Sequence, residues 1–219
     1  MKLRAALFDL DGTLADTLAD IGGAMNHALA ALGLPGHDLE SYRRFVGEGV
    51  EMLAGRALPP DRQALSPALI ERYSARYAET LVKRSVPYPG IPELLDALVG
   101  RGVALAVLSN KPDPATQAIM ASLFGRWQFA VVAGRRPDVP RKPDPTGALA
   151  VAARLGVAPS DCAFIGDTAI DMRTAIAAGM VPVGVAWGFR PEELETAGAL
   201  FVARAPEELL GIVAASFVP

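Results

Sequence analysis

The chain has 219 residues, room for one α/β domain or one domain carrying a modest second. At 51% apolar, 21% charged and 6% aromatic it can bury a full core, which excludes a disordered chain. Its 21 Lys plus Arg against 24 Asp plus Glu give a net charge of -3, without the clustered basic field that holds a nucleic-acid backbone.

Residues 5–8 form a short apolar run that reads as a first, fully buried strand. The N-terminal apolar stretch meets Asp9 too soon for a signal peptide or an anchor, so neither a membrane nor export is expected. Directly after the run comes Asp9-Leu10-Asp11-Gly12-Thr13. Two carboxylates just past a strand can face one crevice, and Gly12 lets the backbone turn sharply enough for both to approach a ligand. An ordinary acidic turn is the alternative, because Asp and Gly are common in turns.

From residue 15 to 86 the pattern is helical. Leu18, Ile21, Met25, Leu29 and Leu32 fall at helical spacing, and a second helix starts at Ser66-Pro67 and runs through Leu69, Ile70, Tyr73 and Tyr77. About 70 residues of helix are thus inserted after the first strand, with residues 85–90 as the return linker. The expected division is a core of 1–14 plus 87–219 and a helical domain of 15–86.

Beyond the linker, helical stretches at 92–100, 114–123, 145–155 and 169–178 alternate with apolar runs at 103–108, 129–132, 163–165 and 181–186. Such alternation predicts right-handed crossovers and a doubly wound, Rossmann-like parallel sheet. Polar residues gather where these runs end. Ser109-Asn110-Lys111 follows the second run, offering a hydroxyl and backbone N–H groups to a phosphate, although Ser-Asn is also an ordinary turn. Lys142 sits in a loop stiffened by Pro143 and Pro145, where a solvated surface lysine is the alternative. The lone Cys162 opens the fourth run, where a packed thiol in a reducing compartment is expected. Gly166-Asp167 ends that run and Asp171 lies one turn later at a helix start; there a carboxylate suits either the helix dipole or a hard cation such as magnesium. Together these acids, the hydroxyl and the lysine would meet at the carboxyl edge of one sheet.

With these residues in place, the chain resembles haloacid dehalogenase-superfamily phosphatases over nearly its whole length. Asp9 to Thr13, Ser109, Lys142 and Gly166-Asp167 through Asp171 correspond to the four motifs, and the helical insertion resembles the α-helical cap. Val46-Gly47-Glu48-Gly49, Ser109-Asn110-Lys111 and Trp187-Gly188 make it most similar to phosphoglycolate phosphatases. The resemblance implies Asp9 as nucleophile, Asp11 as acid and base, Thr13 as a loop support, and Ser109, Asn110 and Lys142 as phosphate binders. It also implies a Mg²⁺ ion held by Asp9, Asp167 and the Asp11 carbonyl, with Asp171 ordering its water. Arg43, Gly47, Glu48 and Gly49 are the cap residues expected to select a small phosphorylated metabolite, while a solvated helix face is the other reading of Arg43 and Arg44. His27 and His37 are given no catalytic part, and Met25, Tyr73 and Tyr77 are read as core. An acid at position 11 separates the chain from the dehalogenases of the superfamily. A sugar-phosphate mutase akin to β-phosphoglucomutase, and a pyrophosphatase or nucleotidase, are alternative activities; a regulatory protein without turnover is disfavoured by the complete acid set. A cytoplasmic location is expected, and the sequence does not set the oligomeric state.

Overall fold

The computed structural model describes residues 3–214; Met1, Lys2 and residues 215–219, assigned above to the core, lie outside the described residues. The chain enters β1 (Ala5–Phe8), makes a tight loop into the two-residue β2 (Ala15–Asp16), and rises into four helices. These are α1 (Leu18–Ala30), α2 (Leu39–Phe45), α3 (Val50–Ala57) and α4 (Ser66–Thr80). It returns through β3 (Val86–Pro87), which pairs antiparallel with β2. From there α5 (Ile91–Gly100), β4 (Ala104–Pro112), α6 (Asp113–Phe124), β5 (Phe129–Arg135), α7 (Thr146–Leu155), β6 (Cys162–Gly166), α8 (Ala169–Ala177) and β7 (Val181–Val185) alternate. A short β8 (Phe201–Ala203) and α9 (Pro206–Ala214), neither visible in the sequence pattern, complete the chain.

The main sheet runs β5-β4-β1-β6-β7-β8 with every pair parallel. Connections step outward from β1 to β4 and β5, then cross back to β6, β7 and β8 on the other side. The switch in direction falls beside β1, and the crevice of such a sheet opens at the carboxyl ends flanking that point.

The continuous apolar runs have a direct cause. Ala6 and Phe8 of β1 pack on one face against Leu94, Leu95 and Leu98 of α5, whereas Ala5 and Leu7 pack on the other against Val151 of α7 and Ala175 of α8. Successive side chains leave a strand on opposite faces, so a strand covered on both needs apolar residues at every position. Cys162 is buried in the second of these layers, and burial pushes its thiol up to about 11.

The inserted helices have a core of their own, built from Met25 and Leu29 of α1, Tyr42 of α2, Leu53 of α3 and Leu69 of α4. Asn26 ties it together: its amide bonds the backbone of His37 on both sides, and its oxygen accepts from the Tyr42 hydroxyl at 2.6 Å. The His37 ring lies 2.8 Å from the Ala57 carbonyl, a bracing contact between loop and helix. At the hinge the buried Asp20 carboxylate accepts from the backbone N–H groups of Arg84 and Ser85 and from the Ser85 hydroxyl, clamping the returning chain to α1. Among the described residues no helix is long and apolar enough to cross a membrane.

Candidate active site

Asp9 leaves the end of β1 with its N–H bonded to the Ile165 carbonyl of β6 at 2.9 Å, which fixes it between two central strands. The loop then closes on itself, as the Leu10 carbonyl accepts from the N–H groups of Thr13, Leu14 and Ala15. Gly12 turns with φ +86°, and a Cβ there would run into the Asp167 carboxylate. A Cβ at Gly188 would strike both the Asp167 side chain and the Gly12 carbonyl. Glycine at these two positions lets three loops converge on Asp167. Thr13 donates its hydroxyl to Asp167 Oδ1 at 3.0 Å, the Phe189 N–H donates to Oδ2 at 2.7 Å, and the Trp187 indole braces the Thr13 carbonyl at 3.0 Å.

Four charged groups meet at the centre, all buried: Asp9, Lys142, Asp167 and Asp171. Lys142 Nζ lies 2.9 Å from Asp9 Oδ1 and 2.7 Å from Asp171 Oδ1. The second Asp171 oxygen accepts from the N–H and hydroxyl of Thr168 in a capping box, so Asp171 is held by both ends. Asp9, Asp167 and Asp171 each bring one oxygen within 4.8 Å of the others. Burial, with Asp171 adding to it, pushes Asp9 up to about 6 despite the attraction of Lys142. Burial and the two neighbouring acids drive Asp167 well above the usual carboxylate range. Burial works against the Lys142 ammonium, but Asp171 and Asp9 outweigh it and raise its pKa above the ordinary lysine value.

Three buried carboxylates facing one ammonium leave negative charge without a partner, which a low-dielectric site relieves by taking up protons, as the raised Asp9 and Asp167 do, or by binding a cation. Asp9 Oδ1 also receives no well-directed hydrogen bond. The donor set, all hard oxygen, fits a magnesium-sized ion.

Across the crevice the end of β4 divides its side chains. Ser109 is buried and lines the crevice with Asp9. Asn110 also lines the crevice, while its side chain bonds to the loops on either side. Its amide donates to the Gly47 and Lys142 carbonyls at 3.2 and 3.1 Å and accepts from the Lys142 N–H at 2.9 Å. Asn110 is therefore the clamp that holds the Lys142 loop and the cap. Lys111, absent from the expected site, reaches the Asp11 carboxylate with Nζ at 2.8 and 2.9 Å, and Thr17 donates to the same group at 2.6 Å. The Lys111 contact has no signal in sequence spacing, since Lys111 stands 100 positions from Asp11.

The inserted helices bond directly to the core. Arg43 donates to the Gly188 carbonyl at 3.1 Å and Arg141 to the Glu48 carbonyl at 3.1 Å. The Glu48 carboxylate pairs with Arg56 of the cap and stands 3.7 Å from Arg190 of the core, and Glu51 pairs with Arg135 at 3.1 Å. Of the cap residues singled out in the sequence, Gly47 and Gly49 line the crevice, whereas Arg43 and Glu48 join cap to core. Arg44 is exposed and pairs with Glu40. Tyr73, expected as core only, also lines the crevice, and its neighbour Tyr77 lies under Lys111 Nζ at 4.9 Å from the ring centre.

The model of haloacid dehalogenase-like hydrolases matches residues 3–179. The phosphoglycolate phosphatase of Xylella fastidiosa strain 9a5c is 35% identical over 190 residues, spanning 87% of this chain and 83% of that one. That of Rhodospirillum rubrum is 35% identical over 208 residues, 91% of this chain and 86% of its own. Among solved structures, a Lactobacillus delbrueckii subsp. bulgaricus protein assigned as a phosphoglycolate phosphatase superposes with a TM-score of 0.91 at 31% identity, covering 97% of this chain and 99% of that one. CbbY from Rhodobacter sphaeroides, solved in complex with phosphate, gives 0.79 at 26% identity over 94% and 96%.

Proposed function

This chain belongs to the haloacid dehalogenase-like hydrolase family, and we propose that it hydrolyses phosphate monoesters of small metabolites, 2-phosphoglycolate first among them, with Asp9 as nucleophile. The observation that carries the reading is the arrangement of two carboxylates with separate partners at the switch point of the sheet. Asp9 is held by Lys142, and Asp11, two residues on, is held by Lys111 and Thr17.

In this mechanism an Asp9 carboxylate oxygen attacks phosphorus in line, the ester P–O bond breaks, and an aspartyl-phosphate forms. Asp11 gives its proton to the departing alkoxide. It then takes a proton from the water that attacks phosphorus, the acyl-phosphate P–O bond breaks, and inorganic phosphate leaves with Asp9 restored. Lys142 and Ser109 bind phosphoryl oxygens. Asp9, Asp167 and the Asp11 carbonyl, with Asp171 behind them, would hold a Mg²⁺ ion, which would supply the charge neutralisation that lets two anions approach. Closure of the cap excludes water from the first step.

The cap wall of the crevice, formed by Ile21, Val46, Val50, Leu53 and Tyr73, is almost wholly apolar. It suits a short ester better than a sugar, whose hydroxyls would find few partners, and so disfavours a sugar-phosphate mutase. The test is phosphate release from a panel of small esters, with and without Mg²⁺, for the wild type and Asp9→Asn. The expected result is turnover that prefers 2-phosphoglycolate, requires the metal, and falls more than about a thousandfold in Asp9→Asn. Turnover that survives in Asp9→Asn refutes the mechanism; broad hydrolysis without preference refutes the substrate.

A further inference from the structure

The crevice between cap and core has unlike walls. The core side presents the Asp9 and Asp11 carboxylates and Ser109, and the cap side presents hydrocarbon. Among the described residues that line it, Lys111 carries the one positive charge. The nucleophile does not need this lysine, because Lys142 already pairs with Asp9.

Lys111 is buried, and its ammonium lies between Asp11 and the face of Tyr77, whose own hydroxyl is buried without a hydrogen-bond partner. An ammonium has three N–H donors, and Asp11 accepts two of them. The donor not spent on Asp11 is the one that a ligand anion in the crevice would take. The reach of that donor is set by Asp11. If Asp11 bonds the ester oxygen of a substrate, Lys111 Nζ stands two hydrogen-bond lengths from that oxygen, within about 6 Å. A second anionic group carried close to the ester oxygen then comes within reach of Lys111.

Building on the phosphomonoester reading above, we propose that Lys111 is the specificity-determining residue, binding the carboxylate of a phosphorylated 2-hydroxy acid. The phosphoryl group faces Lys142 and Ser109, the carboxylate faces Lys111, and the short carbon chain lies against Val50 and Leu53. A neutral ester of the same length fills the same space and leaves Lys111 with Asp11 alone.

The experiment compares kcat/KM for 2-phosphoglycolate and ethyl phosphate, in Mg²⁺, for the wild type, Lys111→Met and Lys111→Arg. The wild type is expected to prefer the acid. Lys111→Met is expected to lose about ten- to a hundredfold more activity on the acid than on ethyl phosphate, the range of one charge-assisted hydrogen bond. Lys111→Arg, which keeps the charge, is expected to retain most of the preference. Lys111→Gln, which keeps a donor toward Asp11, reads the same ratio should the methionine variant fail to fold. An equal loss on both esters overturns the proposal, because Lys111 then acts only through Asp11. A wild type that treats both esters alike refutes the substrate reading itself, whereas a preference that survives in Lys111→Met overturns the role of Lys111 alone.

Discussion

Replacing Lys142 by methionine keeps the side-chain volume and removes the cation at the centre of the site. The lysine side chain is only 2% exposed and touches two carboxylates, Asp9 at 2.9 Å and Asp171 at 2.7 Å. Without it both anions stay buried with no positive partner. Breaking a buried pair in this way costs about 3–5 kcal/mol. For a chain of this length each kcal/mol moves Tm by about 2–4 °C, so Lys142→Met should melt about 6–20 °C below the wild type in chelator at neutral pH. The pH dependence has a definite sign. Asp9 is raised to about 6 in the folded protein, above its unfolded value, so its ionisation costs stability at neutral pH and that cost fades as pH falls through 6. Loss of Lys142 removes the influence that lowers Asp9, so the variant takes up this proton at a higher pH than the wild type. The gap in Tm between the two should therefore narrow as the pH falls from about 8 to about 5. Adding Mg²⁺ should narrow it too, by supplying the missing charge. Thermal melts by circular dichroism across this pH range, with and without Mg²⁺, make the measurement. A Tm loss below about 2 °C that ignores pH refutes the reasoning, because that is the behaviour of a solvated surface lysine.

Asp167→Asn should abolish activity yet raise the metal-free Tm at neutral pH. It removes an unpaired buried charge, while its amide can still accept from the Phe189 N–H and donate to Thr13; a lower metal-free Tm would contradict the crowded-carboxylate account. At the hinge, Asp20→Ala leaves the N–H groups of Arg84 and Ser85 without their acceptor and should cost about 3 kcal/mol, with faster proteolysis at residues 82–87. An unchanged melt and cleavage pattern would show the clamp to be idle. Gly188→Ala drives a methyl group into Asp167 and the Gly12 carbonyl, and should depress kcat and weaken the Mg²⁺-induced rise in Tm. Wild-type values of both would mean that these loops do not converge as described.

The sequence by itself determined the architecture of this protein, because the physics involved is local. Strands covered on both faces must be apolar at consecutive positions, so residues 5–8 and 163–165 announce a parallel sheet. Helical spacing from Leu18 to Leu32, with no strand run before residue 86, announces the helical insertion. The placing of Asp9, Ser109 and Asp167 after the first, second and fourth runs was likewise legible, since carboxyl ends of parallel strands share one edge. The short β8 and its helix were not, because three residues at a sheet edge carry too little periodicity to stand out. Only the tertiary structure decided which neighbours on β4 serve the crevice. There the strand continues through Pro112, so adjacent side chains diverge, and Asn110 turns to the Lys142 loop and the cap while Lys111 reaches Asp11. It also decided that Arg43 and Glu48 join cap to core, whereas Gly47 and Tyr73 wall the crevice. These pairings link residues far apart in the chain through the angle at which the helices dock on the sheet, and that angle is set by the packing of whole surfaces, to which no single stretch of sequence has access.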